Sequence, residues 1–220
     1  MTRSKFLSSW EAVNLDEIKN IFSKTIDSDR LEKLSKAKIA VAGLGGLGSN
    51  ISTFLARCFF GELTIIDFDK VEIANLNRQA YFYDQVGKTK TLALKENLLK
   101  INPDFNVKIE TVKVTKENII SLFSDKDIVI EAFDKAKEKA MLVQNLLEKT
   151  EKPIIISGNG MAGIGKNNVI KTEKINDRLF ICGDQKSDVN KDGVLVAPRV
   201  AICAAHQANL AFNLIIGEIK

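Results

Sequence analysis

The stretch Lys38-Ile39-Ala40-Val41-Ala42-Gly43-Leu44-Gly45-Gly46-Leu47-Gly48-Ser49-Asn50 constrains this chain more than any other. A short apolar run breaks into Gly43-x-Gly45-x-x-Gly48, and Ile51, Phe54, Leu55 and Cys58 follow at helical spacing. Strand, glycine turn and helix in that order open a nucleotide-binding βαβ unit. A glycine takes positive φ where a side chain would clash, and it lets backbone approach a phosphate closely. The helix start then offers N–H groups and the positive end of its dipole to that phosphate. The next strand, Leu63-Thr64-Ile65-Ile66, ends in Asp67, where such folds set a carboxylate against ribose hydroxyls. Gly46 adds information, because an ordinary dinucleotide site has no need of the doubled glycine. The plainer alternative is a tight turn with no ligand.

Residues 1–37 read as a helical, peripheral arm, with Asp16, Ile18, Phe22 and Ile26 as a weak stripe and Trp10 as a packing residue. Ser28-Asp29 is placed to cap a short helix through Leu31 and Leu34. After the glycine unit comes a polar loop, Asp67 to Gln79, that leaves the carboxyl end of a strand. Open α/β sheets bind their ligands there. Lys88-Thr89-Lys90 opens a helix that stops at Asn102-Pro103, with Leu94, Leu98 and Ile101 on one face. Val107 to Val114 alternates like a strand and Glu117 to Phe123 reads as a short helix. Ile128-Val129-Ile130 is a buried strand leading to Asp134, Lys135 to Lys149 is a helix, and Pro153 to Ser157 is another buried strand. Apolar strands separated by helices predict an α/β, Rossmann-like, doubly wound and mostly parallel sheet. Asn168 to Lys174 and Arg178 to Cys182 read as extra, antiparallel strands toward the C-terminus. Gly183 to Pro198 is a long loop, and long loops in compact domains are often functional. A helix from Arg199 to Gly217 closes the chain, with an alanine face suited to packing within the fold or across a dimer.

With 220 residues the chain suits one domain, the helical arm 1–37 followed by a nucleotide-binding domain over 38–220. Its net charge of +4 comes from 32 basic and 28 acidic residues that are well interspersed, which argues against a nucleic-acid partner. Cys58, Cys182 and Cys203 lie far apart with no C-x-x-C pair, so neither a disulfide framework nor a zinc knuckle is expected, and a cytoplasmic setting is. The first ten residues lack a signal-peptide core, and no apolar run reaches the roughly 18 residues that cross a bilayer.

At Gly43-x-Gly-Gly-x-Gly-Ser, Asp67-x-Asp69, Asn75-Leu-Asn-Arg78-Gln79, Val86-Gly-x-x-Lys90 and Asp134, the chain resembles the ThiF/MoeB/HesA family, bacterial relatives of ubiquitin-activating enzymes. Ala197-Pro198-Arg199-Val200 and His206 to Leu210 are similar to a smaller ThiF-like group within it. The resemblance implies an ATP- and Mg-dependent adenylyltransferase. Its substrate would be a small ubiquitin-like sulfur carrier protein (ThiS-like) with a C-terminal Gly-Gly, and its products an acyl-adenylate and pyrophosphate. By resemblance Gly43, Gly45, Gly46, Gly48, Asp67, Asp69, Asn75, Arg78, Gln79 and Lys90 bind the nucleotide, with Arg78, Lys90 and Asp134 catalytic and Asp134 the Mg ligand. Such chemistry needs placement and cationic stabilisation rather than a nucleophilic side chain. Each of these also has a plainer reading: Arg78 and Lys90 as solvated charges, Asp134 as a helix N-cap, Asp69 as a partner of Lys70 or a turn cap.

A homodimer and a separate sulfur donor protein are implied as well, with thiamine thiazole synthesis as the pathway. Activation of a MoaD-like carrier in molybdopterin synthesis, an NAD-dependent oxidoreductase and a non-catalytic ATP-binding scaffold are the rival readings. The chain departs from the larger relatives in lacking paired C-x-x-C, and Arg3 and Arg30 do not sit in the family's usual N-terminal arginine motif. Asp188 to Gly193 imitates the start of a calcium loop, but its twelfth position is Arg199 where a bidentate Glu is needed. His206 reads as a packing or hydrogen-bonding residue rather than a base, and Cys182 as a buried structural residue rather than a transfer thiol.

Overall fold

The computed structural model describes residues 21, 23–58, 61–164 and 167–219. Arg3, Trp10, Asp16, Ile18 and Phe22, which carry much of the reading of the amino-terminal arm, lie outside them. Among the described residues seven strands form a single sheet: β1 (Lys38–Ala42), β2 (Glu62–Ile66), β3 (Val107–Glu110), β4 (Ile128–Glu131), β5 (Ile154–Gly158), β6 (Lys171–Asn176) and β7 (Leu179–Gly183). The order is β3-β2-β1-β4-β5-β7-β6. All neighbours are parallel except β6, which pairs antiparallel with β7 at the outer edge. The doubly wound, mostly parallel sheet expected from the sequence is present. Of the two extra strands, β7 extends the parallel set and β6 alone runs against it. Every residue of β6 is exposed, and Lys171, Glu173 and Lys174 make that edge a poor template for pairing with another chain.

Among the described residues the helices are α1 (Ser28–Lys36), α2 (Gly46–Leu55), α3 (Lys90–Ile101), α4 (Ile119–Phe123), α5 (Ala136–Lys149), the one-turn α6 (Val189–Asp192) and α7 (Ala197–Ile216), with Ile21 and Ser23 also helical. Strand alternation sorts the core into two layers. Ile39 and Val41 of β1 face α1, α2, α3 and α7, in a cluster with Leu34, Ile51, Leu55, Leu94, Leu98 and Ala204. Ala40 and Ala42 face the other way, toward Phe123 of α4 and Leu142 and Leu146 of α5. Each fully buried Leu or Ile contributes about 1.5–3 kcal/mol, so the two layers together dominate the stability of the sheet. On α7, Ala204, Ala208 and Ala211 are buried within this chain, packed on the α2 side, so the alanine face is used inside the fold.

Boundaries shift for local reasons. Asp27, not Ser28-Asp29, caps α1, because its carboxylate is three residues from the Arg30 N–H it accepts at 2.9 Å. The strand read from Val107 to Val114 ends at Glu110, where its partner β2 runs out at Ile66. Lys135 stands before α5 in an extended conformation rather than inside it. The strand read from Asn168 starts at Lys171, after a 3-10 turn at Asn167–Val169. The loop read as Gly183 to Pro198 contains α6 and is cut short by α7, which begins at Ala197 because a proline is tolerated in a helix's first turn.

The amino ends of the parallel strands are joined by charges. The Lys38 N–H donates to Asp127 at 2.7 Å, and the buried Lys126 ammonium reaches Glu62 at 3.0 Å. Burial alone would push the Glu62 carboxyl up, but Lys108 and Lys126 outweigh it and hold the carboxyl below its ordinary 4.5. A carboxyl held low contributes stability that is complete above the unfolded value and is lost as pH falls through the folded one. Glu62→Gln should therefore lower stability at neutral pH by about 1–3 kcal/mol. It should also flatten the loss of stability below pH 4.5. Urea denaturation across that pH range measures both, and an unchanged acid limb would remove Glu62 from the account.

Candidate functional site

At the opposite, carboxyl end of the strands lies a cleft of about 680 Å³, within the range that encloses small ligands. Gly43, Gly45, Gly46, Asp67, Asp69, Asn75, Arg78, Gln79, Lys90 and Asp134 all line it. These residues span more than 90 positions of sequence, and the fold brings them to one cavity. Gly48 does not line the cleft. It sits behind, where a Cβ would fall 1.8 Å from the Gly43 carbonyl oxygen, so its bare backbone is what lets the turn pass. Gly43 itself has φ +90°, and a Cβ there would meet the Phe133 ring and the Ala132 carbonyl at 2.9 and 3.0 Å.

The glycine turn is held from both sides. The Leu44 N–H donates to Asp67 Oδ2 at 2.7 Å, and the Tyr81 hydroxyl donates to the Leu44 carbonyl at 2.8 Å. Burial and the nearby Asp67 and Asp69 carboxylates push the Tyr81 phenol up, so it remains a donor. Ser49 Oγ donates to the Gly45 carbonyl at 2.6 Å and accepts the Ala80 N–H at 3.0 Å. Asn50 Nδ2 donates to the Gly46 carbonyl at 2.7 Å and to that of Arg78 at 3.0 Å. The loop after β2 and the start of α2 therefore form one rigid piece. The start of α2 has Gly45 as its cap residue and no side-chain cap, which leaves its first N–H groups facing the cleft.

The charged side chains divide into two states. Lys90 is buried, with its ammonium 3.1 Å from Asp69 and 4.0 Å from Asp67. Asp69 pairs with Lys90, not with Lys70. Arg78 is half-buried, reaches Asn77 Oδ1 at 2.8 Å and the Ala74 carbonyl at 3.2 Å, and has no carboxylate partner among the described residues. Asn75 accepts the Glu72 N–H at 3.0 Å and closes a 3-10 turn. The buried Gln79 keeps its Oε1 unpartnered in the cleft. Asp134 is exposed on the facing wall with no hydrogen bond or ion pair among the described residues, and it does not cap α5. Among the described residues no three His, Cys, Asp or Glu converge as a ready metal cage. The open Asp134 carboxylate fits a hard cation such as magnesium, which takes one or two carboxylates and draws the rest of its shell from phosphates and water.

A family model described as "ThiF family" matches residues 19–220. The chain belongs to the ThiF family. Two curated relatives illustrate its range. It is 29% identical over 203 residues to the molybdopterin-synthase adenylyltransferase of Salmonella typhimurium, covering 90% of this chain and 80% of that protein. It is 39% identical over 84 residues to ubiquitin-like modifier-activating enzyme 5 of Caenorhabditis elegans, covering 38% of this chain and 20% of the relative. The fold is similar to that of E. coli tRNA N6-threonylcarbamoyladenosine dehydratase, TcdA, in complex with ATP. That likeness has a TM-score of 0.81 at 22% identity and covers 92% of this chain and 95% of that one.

Several features of this ThiF-family chain escaped sequence reasoning. Glu131 ends β4 fully buried, bonded to Lys139, Ser157 and the Phe133 N–H. The signal was a carboxylate continuing an otherwise apolar strand. Tyr81 and the Asp184–Arg199 ion pair that anchors the 184–198 loop gave no signal. That loop does reach the cleft, through Ser187, Asp188, Val189, Asn190 and Leu195. Asp188 caps α6 by accepting the Asn190 N–H at 2.8 Å, in keeping with a turn rather than a calcium loop. His206 Nδ1 is hydrogen-bonded with Thr172 Oγ1 at 3.1 Å. Arg30 pairs with Asp27 and Glu218, away from the cleft. Among the described residues no helix is long and apolar enough to cross a membrane.

Cys182 and Cys203 are fully buried, and burial pushes their thiols up to about 11 and about 12. Reactivity needs thiolate, so both are poor nucleophiles at neutral pH. Iodoacetamide at neutral pH should leave both unmodified in the native protein and alkylate both in urea, read by peptide mass spectrometry. Rapid native labelling of Cys182 would restore it as a transfer thiol. Gly48→Ala should destabilise the fold by about 1–3 kcal/mol, because the turn must move to admit the methyl group. A urea midpoint equal to that of the parent would contradict this account of the turn.

Proposed function

We propose that the chain is an ATP-dependent adenylyltransferase that activates the C-terminal glycine carboxylate of a small ubiquitin-like carrier protein. The observation that carries the reading is one cleft holding the glycine turn, a guanidinium without a carboxylate partner (Arg78), a buried ammonium (Lys90) and an open carboxylate (Asp134). A nicotinamide enzyme would use the turn and Asp67 and leave the other three idle. The names of its relatives support the same chemistry, although the chain spans only about a fifth of one of them.

In the proposed reaction a carboxylate oxygen attacks the α-phosphorus of ATP. The bond to the bridging oxygen of the β-phosphate breaks, and pyrophosphate leaves with that oxygen. The products are an acyl-adenylate and pyrophosphate, and no side-chain nucleophile takes part. The turn and the first N–H groups of α2 bind phosphate. Asp67 already accepts two N–H groups and keeps lone pairs for a ribose hydroxyl. Arg78 and Lys90 neutralise charge on the phosphates as it builds up, with Asn75 and Gln79 beside them. Asp134 would hold magnesium, which when bound supplies a second centre of positive charge at the phosphates.

A carrier of sulfur for thiamine thiazole and one for molybdopterin stand as equal acceptors, with the sulfur delivered by a separate donor protein. A second class of acceptor is favoured by a Haemophilus influenzae relative named tRNA threonylcarbamoyladenosine dehydratase, 37% identical over 134 residues. Its named nucleoside also presents a carboxylate. A homodimer in a cytoplasmic setting is part of the proposal.

ATP–pyrophosphate exchange with magnesium, run with a Gly-Gly carrier, with tRNA and with neither, tests the reading. Carrier-dependent exchange supports it, tRNA-dependent exchange moves the acceptor to the nucleoside, and ATP binding with no exchange favours a scaffold. Arg78→Ala and Asp134→Ala should each reduce exchange by roughly 10²–10³-fold with the fold intact. Near-normal rates in either variant would remove that residue from the mechanism.

A further inference from the structure

We propose that Glu131, Lys139 and Ser157 are positioning residues that set Asp134 at its distance from the glycine turn; this rests on the nucleotide-activating reading above. Glu131 has 0% exposure, yet each carboxylate oxygen has partners. Oε1 accepts the Phe133 N–H at 2.7 Å and the Lys139 ammonium at 2.9 Å. Oε2 accepts the Ser157 hydroxyl at 2.6 Å and the same ammonium at 2.8 Å. Lys139 gives its remaining donor to the Phe133 carbonyl at 2.9 Å. Both backbone groups of Phe133 are thus tied to one buried ion pair, and the next residue is Asp134.

A buried ion pair is weak evidence for stability, since well-packed apolar residues often do as well. Its effect here is on direction. The Ala132 carbonyl and the Phe133 ring bear directly on Gly43, where a Cβ would stand 3.0 and 2.9 Å away. The same short segment therefore touches the glycine turn on one side and carries Asp134 on the other. The start of α5 has no side-chain cap to hold that segment; the Ala132 N–H donates to the Ala42 carbonyl at 2.9 Å, and beyond that bond the Glu131–Lys139 pair fixes it. Ser157 anchors the pair to β5, in the middle of the sheet. Lys139 also lines the cleft, but its three donors point at Glu131 and Phe133, which makes it a brace rather than a phosphate ligand.

The test uses the full chain with Lys139→Met, Lys139→Arg and the double variant E131Q/K139M. The double variant removes both charges, so that no carboxylate is left buried alone. Two quantities are read: affinity for ATP with magnesium and with chelator, and the rate of carboxylate-dependent exchange. Partners behind a ligand typically change metal affinity or activity by about 10–100-fold. The double variant and Lys139→Met should lose about tenfold or more in affinity for magnesium-ATP, keep their affinity for ATP in chelator, and exchange more slowly at saturation. Lys139→Arg, which retains the charge, should recover most of both. A folded double variant with parental magnesium preference would overturn the proposal. Loss of fold in both methionine variants would also overturn it, by making the pair a stability element. If the parent binds magnesium-ATP but exchanges with no carboxylate, the adenylation reading fails while the affinity comparison still decides the positioning role.

Discussion

Two backbone N–H groups converge on the Asp67 carboxylate, and the arrangement of the cleft depends on that convergence. One comes from Leu44 in the glycine turn at 2.7 Å and the other from Asp69 in the following loop at 2.8 Å. A buried carboxylate without partners would be costly, so the two donors and the Lys90 ammonium at 4.0 Å fix where it lies. The Lys90 N–H in turn donates to the Asp69 carbonyl at 2.9 Å, which joins the start of α3 to the same point. Three elements separated by more than forty residues are referenced to one side chain. Asp67 therefore has a structural task that is complete in the absence of any ligand, and a ribose contact would be added to it.

The two ends of the sheet use charge differently. At the amino ends, Lys126, Glu62, Lys38 and Asp127 neutralise one another and tie β1, β2 and β4 together. Arg178 does similar work at the end of α5, donating to the Leu146, Pro153 and Thr150 carbonyls, where a cation also complements the helix dipole. At the carboxyl ends Lys90 is paired with Asp69 and Lys139 with Glu131, but Arg78 and Asp134 have no ion-pair partner among the described residues. Arg78 and Arg178 are the same residue type, but only Arg178 has its donors aimed at several helix and strand-end carbonyls. That contrast, more than the presence of an arginine, separates a group available to a ligand from one consumed by the fold.

Much of this was legible in the sequence, for identifiable reasons. Strand, glycine turn and helix are encoded within thirteen consecutive residues, so β1 and α2 could be read without knowledge of the rest. The buried strands β4 and β5 were visible as Ile-rich runs, since both faces of a doubly wound sheet are covered. What escaped was set by partners distant in sequence. β3 ends where β2 ends, which its own alternation through Val114 could not reveal. Tyr81 acts through a carbonyl 37 residues away, and Arg199 through Asp184 on another element. Asp27 was passed over as a cap because Ser28 and Asp29 stand beside it with equally good side chains, and only backbone direction chooses among them.

The cleft has two unlike walls. Charged and amide side chains that would meet a nucleotide come from residues 43 to 139. The other wall is built from 158–162 and 187–195, and is largely small or apolar: Gly158, Gly160, Ala162, Val189 and Leu195. Its root is firmly held, because the Asp184 carboxylate accepts the N–H groups of Lys186 and Ser187 and pairs with Arg199. Burial would push the Asp184 carboxyl up, but those donors outweigh it and keep it ionised below its ordinary range. Farther out, Val189 and Val194 are exposed. This wall therefore has a fixed root, an open rim and only a few polar groups, Asn159, Ser187, Asp188 and Asn190, toward the cleft. The two walls thus differ in how they are held: the first by carboxylate and amide contacts to backbone around the glycine turn, the second by the single Asp184–Arg199 anchor at its root.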